Sequence, residues 1–132
     1  MREINSHKVN PANDVLAIVV TDKPGAGGAN HRYEISGFDT STNPSLEPAN
    51  GVMRSREVLL FQNGPIAKIG VNGITQEVLI AICIDRLECF QTGPYACVEN
   101  AGALEHLKLA QKCFLMRTKA RMGRGVEGTH TF

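Results

Sequence analysis

The sequence predicts an α+β fold: a small antiparallel β layer, N-terminal, packed on a C-terminal antiparallel two-helix hairpin. Three observations predict it. Residues 76–90 contain no Gly or Pro and repeat apolar side chains at helical spacing, Val78, Leu79, Ile82, Cys83, Leu87, Cys89 and Phe90 forming a wide arc. From Pro94 to about Arg121 a second helical run meets no further proline. Ahead of both, the apolar runs are short, β-branched and separated by segments rich in Gly, Pro, Asn and Ser.

Taken in order, residues 1–13 are polar and turn-rich and read as an extended arm. Residues 14–20 (DVLAIVV) are dense in β-branched side chains, the pattern of a strand buried on at least one face. Residues 22–30 hold three glycines and a proline. They lack the last glycine of the dinucleotide fingerprint, where Asn30 stands, and the Gly-Lys-Ser/Thr of a phosphate loop. A flexible hairpin connection and a lip of backbone N–H groups over an anion both fit that stretch. Residues 31–38 alternate, so Tyr33 and Ile35 share one face and Arg32 and Glu34 the other. Residues 39–51 form a surface loop, and residues 55–62 a third strand ended by Asn63-Gly64-Pro65. Thr75 is positioned to cap the first long helix, with Glu77 in its favourable first turn. The two-residue link Thr92-Gly93 then forces antiparallel neighbours, and Pro94 suits a first helical position. Cys97, Ala101, Leu104, Leu107, Ala110 (or Gln111) and Phe114 form the inward stripe of the second helix, which ends near Met122. The whole is one domain of 132 residues: arm 1–13, β portion 14–73, hairpin 74–124 and tail 125–132.

Composition narrows the function. A chain 42% apolar and 20% charged is an ordinary globular one, able to bury a core without metal or disulfide. A net charge of +1 argues against generic nucleic-acid binding. No apolar run approaches 18 residues and no secretory leader is evident at residues 1–6, so a cytoplasmic protein with no membrane partner is expected. Cys83, Cys89, Cys97 and Cys113 form no C-x-x-C pair and read as reduced, buried small hydrophobes, with no metal site and no cofactor. No nucleophile elbow or ordered acid/base pair appears, so the chain is read as a binder and not an enzyme. Asp85 and Glu88 are more simply solvated or paired with Arg86 and Lys108.

Two clusters on the hairpin carry chemistry. Phe90, Tyr95 and Asn100 gather two π surfaces and an amide at the turn, which is what holding a purine requires, although the end of a hairpin core is the simpler account of the aromatics. At the far end Arg117, Arg121 and Arg124 recur at i, i+4 and i+7, with six basic residues and no acidic one from Lys108 to Gly125. Complementing the negative end of a helix dipole accounts for those cations equally well. Asn100 and Arg117 stand about 26 Å apart along one helix, too far for one small ligand to touch both. A pocket using both ends must be shared between copies, the turn of one beside the arginines of the other.

The run at residues 90–100 (FQTGPYACVEN), followed by residues 117–121 (RTKAR) and 124–130 (RGVEGTH), resembles the helical-hairpin domain of phage sponges. That domain is shared by the first family of Thoeris anti-defence proteins and by anti-CBASS cyclic-dinucleotide sponges. Residues 23–33 (KPGAGGANHRY) and 61–65 (FQNGP) resemble the β portion of the Thoeris type, so the likeness covers about residues 14–130. It implies a phage protein of the infected bacterial host's cytoplasm that sequesters a cyclic nucleotide immune signal without cleaving it. The implied signal is glycocyclic ADP-ribose, with CBASS cyclic di- and trinucleotides as further ligands. The family's ligand residues fall on Phe90, Asn100, Arg117 and Arg121, with Met116 beside them, and a β-layer arginine falls on Arg54 or Arg56. The resemblance also implies a homo-oligomer, dimeric or a hexamer built as a trimer of dimers, with a second, trinucleotide pocket for which Arg124 and Thr129 are the suitable residues. An enzyme degrading the same signal and a nucleic-acid-binding regulator using the basic helix are the alternatives.

Overall fold

The computed structural model describes residues 1–46 and 55–129. The chain divides into two compact units, Met1–Asn63 and Gly64–Phe132. The first carries an antiparallel sheet and the second a helical hairpin, the α+β content expected from the sequence.

The sheet has four strands in the order β1-β2-β3-β4, formed by Arg2–Ile4, Ala17–Val20, Arg32–Ser36 and Arg56–Leu60, every neighbour antiparallel. The expected arm at residues 1–13 is therefore corrected: its start is an edge strand, with Glu3 opposite Val19. Three residues with one apolar side chain leave no periodicity to detect. The expected strand at residues 14–20 is shorter, because Pro11–Asp14 forms a single helical turn, α1, with Asn10 accepting the Asn13 N–H at 2.7 Å. An Asn-Pro start of this kind is a cap followed by a first helical position. Register sorts the strand side chains as alternation predicts. Tyr33 and Ile35 share a face with Ile18, Val20 and Leu59, while Arg32 and Glu34 share the other with Val58 and Leu60. Val20 is almost wholly buried, at 1% exposure, and burying such a side chain contributes about 1.5–3 kcal/mol. Tyr33 meets Phe61 edge to face, ring centroids 5.4 Å apart.

Between β2 and β3 the glycine-rich stretch folds into a 3-10 turn at Ala26–Gly28 in which Gly27 and Gly28 take positive φ. The Gly25, Ala26 and Gly28 N–H groups donate to Ala29 O, Asn63 Oδ1 and Gly25 O. Those donors serve the connection itself and are not presented to an anion.

In the second unit a short helix, α2 (Ile66–Ile69), precedes α3 (Gln76–Gln91) and α4 (Val98–Gly123), and α3 packs on α4. Thr75 caps α3 by accepting the Val78 N–H, as expected. The start of α4 is corrected: Cys97, not Pro94, flanks its first turn, and the connection comprises residues 92–97. The inward stripe also differs in phase. Ile84 is the buried residue of α3, with Ile80 and Leu87 half-buried, whereas Val78, Ile82, Cys83 and Cys89 are exposed. Leu104, Leu107, Ala110 and Phe114 face inward on α4 as expected, but Ala101 and Cys97 do not. All four cysteines are exposed free thiols, which corrects their reading as buried hydrophobes. Residues 78–84 are apolar nearly all round, so no polar side chain fixes which face turns inward. Glu88 pairs with Lys108 at 3.2 Å, both about half exposed. Among the described residues no helix is long and apolar enough to cross a membrane.

Candidate functional site at the two ends of the hairpin

The turn is built by side-chain amides. Gln91, the last residue of α3, donates from Nε2 to Cys97 O at 3.2 Å and accepts the Cys97 N–H through Oε1 at 3.1 Å. This two-way pair closes the base of the connection, a geometry that a β-bridge would otherwise supply. Thr92 Oγ1 donates to Cys89 O at 2.8 Å. Cys97 Sγ then accepts the Asn100 N–H at 3.4 Å, a weak thiol cap on the first turn of α4. The Asn100 amide reaches back, Nδ2 donating to Tyr95 O at 3.3 Å. A carbonyl has no proton to give, so this contact fixes which end of the amide faces inward and turns Oδ1 away from the loop.

On this frame stand the aromatics. Phe90 and Tyr95 meet edge to face, centroids 6.1 Å apart with ring planes at 75°, and the Arg86 guanidinium lies 5.4 Å from the Phe90 ring centre. Tyr95 is 74% exposed and Phe90 36% exposed. The structure thus brings Phe90, Tyr95 and Asn100 together at the turn: two exposed ring surfaces, with the half-buried Asn100 amide tied to the Tyr95 carbonyl. A flat heteroaromatic ring carrying an N–H donor suits such a surface.

At the other end the three arginines differ sharply. Arg117 and Arg124 are exposed and line an open groove of about 210 Å³ with Ala120 and Arg121. Arg121 itself is buried, at 8% exposure. Its Nε donates to Glu127 Oε2 at 3.0 Å, and Nη2 donates to Val126 O at 2.9 Å and Thr129 O at 3.2 Å. The Nε/Nη2 edge, one of the two edges by which a guanidinium grips a phosphate, is filled by the tail. What brings the tail there is a helix-terminating motif. Gly125, at φ 71°, donates to Met122 O and Val126 N–H donates to Arg121 O, the paired bonds of a Schellman end. Gly128 O then accepts the Ala67 N–H at 3.1 Å, tying the tail to α2.

Of the other expected residues, Met116 is 61% exposed one position before Arg117, and Thr129 sits in the tail with its main-chain oxygen on Arg121. Arg56 opens β4 in the first unit and pairs with Glu34 at 3.3 Å, and Arg54 lies outside the described residues. Asn100 and Arg117 belong to the same unbroken helix, so the turn cluster and the arginine groove stay about 26 Å apart within one chain. Gln91 and Glu127 were not foreseen. Gln91 stands at the last helical position before a breaker pair, where an amide can bond across a turn, and Glu127 is the sole acid beyond Glu105. A larger open groove, about 540 Å³, runs along α4 past Leu104, Lys108 and Leu109 and includes neither cluster. No group of three or more His, Cys, Asp or Glu among the described residues is arranged to hold a metal ion.

The sequence matches known proteins over the same region. Residues 56–113 match the family model described as Acb2/Tad1, hairpin domain. That span holds Arg56, Phe90, Tyr95 and Asn100, and Arg117, Arg121 and Arg124 lie beyond it. Over 70 residues the chain is 47% identical to the Thoeris anti-defense 1 protein of Bacillus phage SBSphiJ7. The alignment covers 53% of this chain and 49% of that protein, so it spans about half the length of each. Over about half its length, then, the chain is similar to a Thoeris anti-defence 1 protein and to the Acb2/Tad1 hairpin domain.

Proposed function

We propose that this chain is a phage anti-defence protein that binds and holds, without cleaving it, a cyclic nucleotide immune signal, with glycocyclic ADP-ribose as the first ligand. The observation that carries the reading is the division of labour along α4: exposed aromatics and a half-buried amide at one end, an arginine groove at the other, and a rigid helix between them. One ligand with a base and a diphosphate uses both ends only if two copies pack antiparallel, which gives two shared pockets per dimer. In such a pocket Phe90 and Tyr95 stack the adenine, and Asn100 accepts a hydrogen bond from its amino group or from a ribose. Met116 lines the wall, and Arg117 and Arg121 of the facing copy hold the diphosphate. Arg56 or Arg54 adds a cation from the β unit. Trimers of such dimers would bring Arg124 and Thr129 together as a second site for cyclic trinucleotides. A binder of this kind needs slow release and no preference for a transition state, in keeping with the want of a paired general acid and base.

The test is capture and release. Purified protein is mixed with glycocyclic ADP-ribose, freed of unbound ligand and heat-denatured, and the released compound is identified by chromatography and mass. Intact ligand at about one per chain supports the proposal. Opened product makes the protein an enzyme, and no retention removes this ligand from the reading.

A further inference from the structure

Glu127 is the residue that the proposed anion site does not absorb. It is the one acidic side chain from Lys108 to the end of the sequence, and it lies 3.0 Å from the buried Arg121, which lines the groove with Arg117 and Arg124. Three arginines alone present a charge of +3, and with the Glu127 carboxylate the cluster carries +2. A diphosphate diester carries two negative charges. A nucleoside triphosphate carries about four and is far more abundant in any cell. An unmodified triple-arginine groove would favour the triphosphate, because attraction grows with the charge of the ligand.

We infer that Glu127 is a specificity-determining residue: it lowers the charge of the arginine groove to match a dianionic phosphate ligand and so disfavours nucleoside triphosphates. The inference rests on the proposed function and adds to it the charge class of ligand that the site accepts. Two features of the geometry support a fixed carboxylate over a mobile one. The Schellman end at Gly125 sets where the tail leaves α4, and two main-chain carbonyls of the tail bind the same Nη2 of Arg121, so Glu127 returns to one place. Arg121, buried and bonded on its Nε/Nη2 edge, acts as the floor of the groove, while Arg117 and Arg124 present exposed charge.

The experiment uses the full chain and two probes, glycocyclic ADP-ribose and magnesium-free ATP, with affinities measured by calorimetry for the unaltered protein, Glu127→Gln and Glu127→Asp. The expected result is that Glu127→Gln binds ATP roughly five- to tenfold more tightly relative to glycocyclic ADP-ribose than the unaltered protein does, and that the gain fades at 1 M salt. Glu127→Asp, which keeps the charge, restores the original ratio. A structural role for Glu127 weakens both ligands together, so an unchanged ratio with glycocyclic ADP-ribose still bound overturns the inference and leaves the proposed function standing. Failure of the unaltered protein to bind glycocyclic ADP-ribose overturns both. Should Glu127→Gln not fold, Glu127→Asp still decides: loss of discrimination in a protein that keeps the carboxylate charge refutes the charge mechanism.

Discussion

Replacing Gln91 by Ala tests whether the amide pair at the hairpin turn holds the candidate site in shape. The substitution removes both bonds to Cys97, at 3.2 and 3.1 Å, and leaves the Cys97 N–H and carbonyl to water. Each exposed bond of this kind contributes about 0.5–1.5 kcal/mol, so the loss of two is about 1–3 kcal/mol before any loosening of the thiol cap that Cys97 provides to Asn100. For a chain of this length, at roughly 3–4 °C per kcal/mol, that lowers the midpoint of thermal unfolding by roughly 3–12 °C. Gln91→Glu sharpens the test. Its carboxylate still accepts the Cys97 N–H but turns an oxygen toward the Cys97 carbonyl, so it should be no more stable than Gln91→Ala at neutral pH. The assay is thermal unfolding followed by far-ultraviolet circular dichroism, together with capture of glycocyclic ADP-ribose at a temperature where each variant is folded. Gln91 is not assigned a ligand contact, so reduced capture by a folded variant marks it as a positioning residue for Phe90, Tyr95 and Asn100. Unfolding of both variants within 1 °C of the unaltered protein would refute the clamp.

Three further outcomes are expected from the same structure. Arg121→Ala removes the three hydrogen bonds found among the described residues around a buried guanidinium and should destabilise the protein by about 2–4 kcal/mol, whereas the exposed Arg117→Ala should cost less than about 0.5 kcal/mol; urea unfolding of the two variants checks the contrast. Burial raises the pKa of Asp22, but hydrogen bonds from the main chain of His31 and Arg32 and from Asn30 outweigh it, leaving the pKa below the usual 3.8. A depressed carboxyl stabilises the fold above its unfolded value and loses that contribution as pH falls through the folded value, so stability should decline below about pH 4, less steeply in Asp22→Asn, as read from unfolding midpoints between pH 5 and pH 2.5. Gly37→Ala places a Cβ 1.8 Å from Val15 O at a φ of 92° and should cost about 3 kcal/mol or more, seen as loss of sheet signal at temperatures where the unaltered protein is folded.

Much of the hairpin was legible because its signals are local. Thr75 is followed by a long breaker-free run, and the strands at Arg32–Ser36 and Arg56–Leu60 sit between clear turn residues. The places where reading failed are those where one local signal outranked a better one. Pro94 fits a first helical position, yet the amide of Gln91 draws Cys97 into the role of cap, and nothing in the residue type of Cys97 announces that. The face of α3 could not be phased because Val78, Leu79, Ile80, Ile82 and Ile84 are interchangeable in hydrophobicity. The edge strand at Arg2–Ile4 owes its conformation to pairing with Ala17–Val20, a partner more than a dozen residues away. At the candidate site the spacing of Arg117, Arg121 and Arg124 was evident, but the burial of the middle one was not. Its partners come from a chain reversal at Gly125, where the left-handed backbone that glycine permits brings Glu127 and two carbonyls onto one guanidinium.

The unbroken α4 also limits how such a protein can change its length. One residue inserted between Asn100 and Arg117 turns every side chain beyond it by about 100° and lengthens the rod by about 1.5 Å, so the arginines would swing to a new angle about the helix axis relative to the amide. Seven residues bring the two ends back within about 20° of their former alignment, at a separation about 10 Å greater. Variation in this segment among relatives should therefore arrive in steps of about two helical turns, each step defining a new spacing between amide and cations and hence a ligand of different span.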